Sequence, residues 1–254
     1  LGLFIQADTV VPNPGDPQSL NRYSYVGNRP LTFVDPSGHV GVCFYGGPAS
    51  GDADPNDMST TSQLCSNLFR EGLLGKEWNP FNNRAKDVMD AYDYVLKVLA
   101  TADAGEPVVI VGYSWGGGAA LELAKMLNEA GDTPVTVDTL VTVDPVAWSR
   151  GIEFDYHGIS IPGAVIGSRK SAYNTSEVSD NVLWAINVYA GAQNSPISEG
   201  IENLRGALNV QGRNPEGGEA THFSLMNVER GDLNLRTRDQ IIGLMQNPWL
   251  RFAR

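Results

Sequence analysis

The chain has 254 residues, 42% of them hydrophobic and 19% charged, with a formal net charge of −11. That is enough apolar material for one sizeable core and excludes a disordered chain. An acidic surface repels phosphate backbones, so nucleic acid is not an expected partner, and no stretch approaches the roughly 20 apolar residues of a membrane span.

The chain opens at Leu1 with no basic segment ahead of an apolar one, so this stretch is not expected to be a signal peptide, and the chain reads as a piece of something longer. Residues 1–38 differ from the rest. Asn, Pro, Asp and Gly crowd together at Pro12–Asp16, Asn21–Tyr25, Asn28–Pro30 and Asp35–Gly38, with aromatics between them. That composition predicts turns and short extended segments. The stretch FIQADTVVPNPGDPQSLNRYSYVGNRPLTFVDPSG, Phe4 to Gly38, resembles the C-terminal end of the core domain of Rhs-repeat proteins; its LNRYSYVGNxP and DPSG pieces carry the likeness. The resemblance covers about one seventh of the chain. It implies the close of a large β-cage followed by a variable C-terminal toxin or effector. It also implies a self-cleavage junction marked by Asp35, with the cut near His39. With no cage in this chain, no cleavage is expected, and the plainer reading of 1–38 is a leftover linker. The domains read as 1–38 and 39–254.

After Gly38 the pattern changes. VGVCFY (40–45) reads as a short buried strand, followed by Gly46-Gly47-Pro48. Cys43 in that run reads as a small buried hydrophobe, with a disulfide to Cys65 left open. Residues 84–100 place Val88, Ala91, Tyr92, Val95 and Leu99 at helical spacing. PVVIVG (107–112) is apolar throughout, as in a strand buried on both faces. Residues 115–129 read as helix, stopped by Gly131. LVTV (140–143) and WAINVYAG (184–191) are two more buried strands, and 237–246 is a last helix. Alternation of this kind predicts an α/β fold: a mostly parallel sheet with helices on both faces.

Gly112-Tyr113-Ser114-Trp115-Gly116 fits G-x-S-x-G. The bare pattern is weak, but here it follows an apolar strand at once and opens a helix at once. A sharp turn between the two strains the central residue and presents its side chain to a cleft. Small neighbours are needed there, and Gly112, Gly116, Gly117, Gly118 and Ala119 supply them. The chain from about 40 to 246 therefore resembles α/β-hydrolases of the lipase and esterase kind, with Ser114 as nucleophile.

A serine hydroxyl needs a base, and the chain has three histidines. His39 lies at the Rhs-like junction. His157 precedes a loop, and a solvated loop histidine is its plainer reading. His222 sits in GGEATHFSLM, a turn-rich loop late in the chain, and fits the family's order of Ser, acid, His. Asp144 ends LVTVDP and is the favoured acid, a placement similar to that of pancreatic-type lipases. Glu199, in AGAQNSPISEG after the next strand, is the alternative. The oxyanion hole is expected from the N–H groups of Trp115 and, by resemblance, Gly47, with Gly46 next; a tight turn is the plainer reading of that Gly pair.

These residues imply acyl transfer to water without metal or organic cofactor. The expected substrate is a small-molecule or lipid ester, a phospholipid included if the Rhs-like context holds. An immunity protein is then an implied partner and secretion from bacteria an implied route. Residues 145–182 read equally as a lid over an acyl chain and as packing over the sheet edge. Two other readings stay open: a non-catalytic binding module, in which Ser114, Asp144 and His222 lie out of reach of one another, and a peptidase or acyltransferase on the same fold.

Overall fold

A computed structural model of the chain describes residues 40–46, 60–75, 79–81, 85–100, 106–131, 133–146, 149–156, 159–165, 177–191, 201–227 and 232–247, with the backbone alone for 149–156 and 159–165. The chain divides into two units, Leu1–Ser37 and Gly38–Arg254. The first lies wholly outside the described residues; the second holds every element named below.

Six strands form one parallel sheet in the order β2-β1-β3-β4-β7-β8: β1 Val40–Phe44, β2 Asn79–Phe81, β3 Val108–Tyr113, β4 Val137–Val143, β7 Val182–Tyr189 and β8 Leu208–Gln211. The central strands are apolar on both faces because both faces are covered. Along β3, Val108 and Ile110 enter one core while Val109 and Val111 enter the other. Helices α2 (Ala85–Leu99) and α3 (Trp115–Asn128) pack on the first face. Helices α1 (Thr60–Arg70), α4 (His222–Met226) and α5 (Leu235–Met245) pack on the second. The edge strands are short, and β2 carries Pro80, which a ladder tolerates only at an edge.

The α/β class and the mostly parallel sheet are as the sequence predicts. Within 145–182, β5 (Ser149–Tyr156) and β6 (Ile159–Val165) pair antiparallel as a separate two-stranded sheet, strands that the sequence pattern does not announce. One expectation needs correction. The residues around His222, read as a loop, form α4. Here Thr221 caps the helix through a reciprocal bond pattern with Ser224, which outweighs the turn-rich residues before it. Helix α1 was not foreseen. Only Leu64, Cys65 and Leu68 mark its apolar side, and burial against the second face decides it.

Cys43 is buried, as a small hydrophobe would be, but it is also joined to Cys65 in a disulfide that ties β1 to α1. The bond spans 22 residues of sequence. By the chain-entropy account a loop of that length contributes about 3 kcal/mol. The Cys43→Ala, Cys65→Ala double variant is therefore expected to lose about that much unfolding free energy in a urea titration. An unchanged midpoint would mean the bond does not form.

The chain runs from β1 outward to β2, but from β3 it runs the other way to β4. Strand order thus reverses between β1 and β3. A crevice opens at the carboxyl ends of strands at such a reversal, and ligands of open α/β sheets bind there. Tyr45-Gly46 follows β1 on one side of it, and Ser114 follows β3 on the other.

Candidate active site

Ser114 stands between the last residue of β3 and the first of α3, with φ 56° and ψ −123°. Such a conformation costs an L-residue about 1–3 kcal/mol and persists only where its surroundings enforce it. Backbone hydrogen bonds do so. Ser114 N–H donates to the Val143 carbonyl at 2.9 Å, extending the sheet. Its own carbonyl accepts from Val146 N–H at 2.8 Å and Gly117 N–H at 3.0 Å. The close approach demanded of the neighbours is real. A Cβ on Gly112 would fall on the Gly116 carbonyl, and a Cβ on Gly116 would fall on the Phe44 carbonyl and 2.5 Å from that of Tyr45.

Asp144 directly follows β4 and is fully buried. Its N–H donates to the Val188 carbonyl at 2.7 Å, and its Oδ1 accepts from Ala190 N–H at 2.9 Å. The end of β7 therefore aims this carboxylate. His222 is the first residue of α4 and is also buried.

The structure brings Ser114, His222 and Asp144 into one line. His222 Nε2 lies 2.8 Å from Ser114 Oγ, and Nδ1 lies 2.5 Å from Asp144 Oδ2. The three come from three separate elements, 108 and 78 residues apart along the chain. The bonded line is incompatible with an arrangement in which they lie out of reach of one another.

Trp115, half-buried, is the first residue of α3, so its N–H belongs to the positive end of that helix. Gly46 lies against the nucleophile: a Cβ there would come 3.1 Å from Ser114 Cβ. Gly47, His39, His157 and Glu199 lie outside the described residues, as does Trp148 of the 145–182 stretch.

Sequence reasoning passed over Tyr113 and Phe223. The Tyr113 ring stacks on the His222 ring, centroids 5.1 Å apart and planes 25° apart, and its phenol donates to the His222 carbonyl at 2.9 Å. Burial, and then the Asp144 carboxylate, push that phenol above its ordinary range, so it stays protonated and able to donate. Phe223 meets the His222 ring edge-on at 5.3 Å, yet is 42% exposed. Two signals were available: an aromatic at the first variable position of the motif, and T-x-x-S around His222, a capping pattern.

Among the described residues, no helix is long and apolar enough to cross a membrane. No family model matches the chain, and no curated protein matches it in sequence. Solved structures similar to it include an arylesterase, at 14% identity and a TM-score of 0.45 over 84% of this chain and 75% of that one. An esterase of Pyrobaculum calidifontis shares 17% identity with a TM-score of 0.49, over 84% and 78% of the two chains. An α/β serine hydrolase of Xanthomonas campestris shares 12% with a TM-score of 0.44, over 85% and 82%. Likeness at this level says nothing of substrate or reaction.

Proposed function

We propose that the chain is a serine hydrolase of carboxylic esters that works through an acyl-enzyme. The observation that carries this reading is the buried line from Ser114 Oγ through the His222 ring to Asp144. A carboxylate only accepts hydrogen bonds, so Asp144 holds the proton of His222 on Nδ1 and leaves the Nε2 lone pair facing Ser114 Oγ–H. Ser114 Oγ attacks the ester carbonyl carbon as Nε2 takes its proton. The oxyanion that forms is held by the Trp115 N–H and by the turn after β1, through Gly47 or Gly46. His222 then returns the proton to the departing alcohol, and water repeats the sequence to free the acid. Beyond ester and water, no metal or organic cofactor is needed for these steps.

Proton return also indicates where the alcohol leaves. The departing oxygen must reach His222 Nε2, so the alcohol half lies on the side of that ring, where Phe223 offers exposed apolar surface. Phe223→Ala is expected to lower kcat/KM about tenfold for esters with bulky apolar alcohols, and to leave methyl esters of the same acid within about twofold. Equal loss on both would place the ring away from the alcohol.

The Rhs-like sequence of 1–38 supports a further part of the proposal. In it, 39–254 is the effector domain of a bacterial secreted protein, its substrate includes phospholipid, and an immunity protein restrains it. Growth arrest on expression of the active chain, absent for Ser114→Ala, tests that part.

The test of the reaction is hydrolysis of p-nitrophenyl esters of rising acyl length, by wild type and Ser114→Ala, with fluorophosphonate labelling of Ser114. Turnover and labelling lost together in the variant are the expected result. A folded wild type that neither turns over any ester nor labels would leave a binding module as the better account.

A further inference from the structure

We propose that Tyr113 is a positioning residue that grips the base, so that one dipeptide, Tyr113-Ser114, sets both the nucleophile and the orientation of His222. The proposal rests on the reading of His222 as base. It assigns a role that G-x-S-x-G by itself does not ask of its first variable position.

The geometry has four parts. Tyr113 is the last residue of β3 and is buried, so its ring has no freedom to swing into solvent. The ring lies along one face of the imidazole, 5.1 Å between centroids and 25° from parallel. The phenol reaches past the ring to the backbone of the same residue, donating to the His222 carbonyl at 2.9 Å. The Tyr113 ring also abuts Gly46: a Cβ there would stand 2.5 Å from one ring carbon and 2.9 Å from the next.

His222 needs such a hold. It sits on a helix of five residues, far shorter than the roughly 12–15 that stand alone in water. Asp144 and Ser114 bind only the two nitrogens, and a ring held at two points on its edge can still tilt about the line joining them. The Tyr113 face blocks that tilt, and the phenol fixes the backbone the ring hangs from. Because Tyr113 and Ser114 share a peptide bond, the grip on the base moves with the nucleophile.

The test compares Tyr113→Phe, which keeps the ring, with Tyr113→Leu, which removes it. Three quantities are read: kcat and KM on an ester, the rate of Ser114 labelling by a fluorophosphonate, and the far-downfield proton resonance of the His222–Asp144 hydrogen bond. In Tyr113→Leu, kcat and labelling rate are expected to fall together by ten- to a hundredfold, about the effect of a 1 Å misplacement, with KM within twofold and the resonance lost to exchange. Tyr113→Phe is expected to keep the resonance and lose about three- to tenfold in kcat, the share of the phenol's bond to the backbone. The proposal is overturned by a Leu variant with wild-type kcat and resonance. It is equally overturned by Phe and Leu variants whose kcat falls only with their folded fraction. Should Tyr113→Leu not fold, Tyr113→Phe decides: wild-type kcat in it overturns the grip. The resonance needs no turnover. If no ester is cleaved by wild type, the reaction fails as a reading while the hold on His222 is still tested.

Discussion

Ser114→Ala is expected to lower kcat by about 10⁵- to 10⁶-fold, His222→Ala by about as much, and the double variant hardly further. In the proposed mechanism the two residues act as one unit. Without Oγ the imidazole has no proton to take; without Nε2 the hydroxyl stays a weak nucleophile. Independent contributions would multiply to a loss too large to measure above the uncatalysed rate, so the double variant is the informative one. A residual rate of about 10³-fold over water is expected in all three, carried by the N–H groups after β3 and β1. Steady-state rates of both single variants and the double, on one activated ester, check this. Losses that multiply would mean the two side chains act separately, whatever their 2.8 Å contact.

Gly116→Ala is expected to be among the most damaging single methyls at the described glycines. Overpacking of a core usually costs about 1–3 kcal/mol because side chains can move aside. Here the new Cβ meets the carbonyl oxygens of Phe44 and Tyr45, which are backbone and cannot rotate away. Either α3 lifts from β1 or the Tyr45–Gly46 turn shifts. The first opens the core between α3 and the sheet, and the second moves the expected oxyanion donors. A loss above 3 kcal/mol is expected, a large part of the 5–15 kcal/mol typical of a domain, with kcat down at least tenfold in what remains folded. Gly243→Ala is the control. Gly243 lies on the exposed side of α5 with nothing within 4 Å of its Cβ position, so alanine there is expected to be neutral or to stabilise by about 0.5–1 kcal/mol. Denaturant midpoints of the two variants, side by side, decide whether close approach rather than glycine replacement is responsible.

The contrast between those glycines shows what could be read before the structure. Gly116 was marked by its neighbours: an all-apolar strand before Ser114 and a helix after it leave room only for small residues. Strands β1, β3, β4 and β7 were legible for a related reason. Burial on both faces removes polar residues from a strand, and that run is visible in one dimension. Helix α2 was legible because burial on one side imposes a 3.6-residue period. Ser114, Asp144 and His222 were named from chain order, each beside an element end.

The other elements left no such mark. Helix α1 begins Thr60-Thr61-Ser62, residues with weak helical preference, and is held by its disulfide, by burial of Leu64 and Leu68, and by Ser62 Oγ at 2.7 Å from the Tyr45 phenol. Strands β2 and β8 are three and four residues long and take their conformation from the neighbour they pair with. Helix α4 is a single capped turn and a little more.

What the sequence by itself determined is therefore what local burial and local sterics impose: strands apolar on both faces, an amphipathic helix, and a strained serine between two glycines. What only the tertiary structure decided is whatever depends on distance across the fold. It joined Cys43 to Cys65, aimed Asp144 with a backbone N–H from the end of β7, and laid the Tyr113 ring against a histidine 109 residues further on. Such contacts are matched between surfaces that meet only after the sheet has closed, and neither partner's neighbours in the chain record the other.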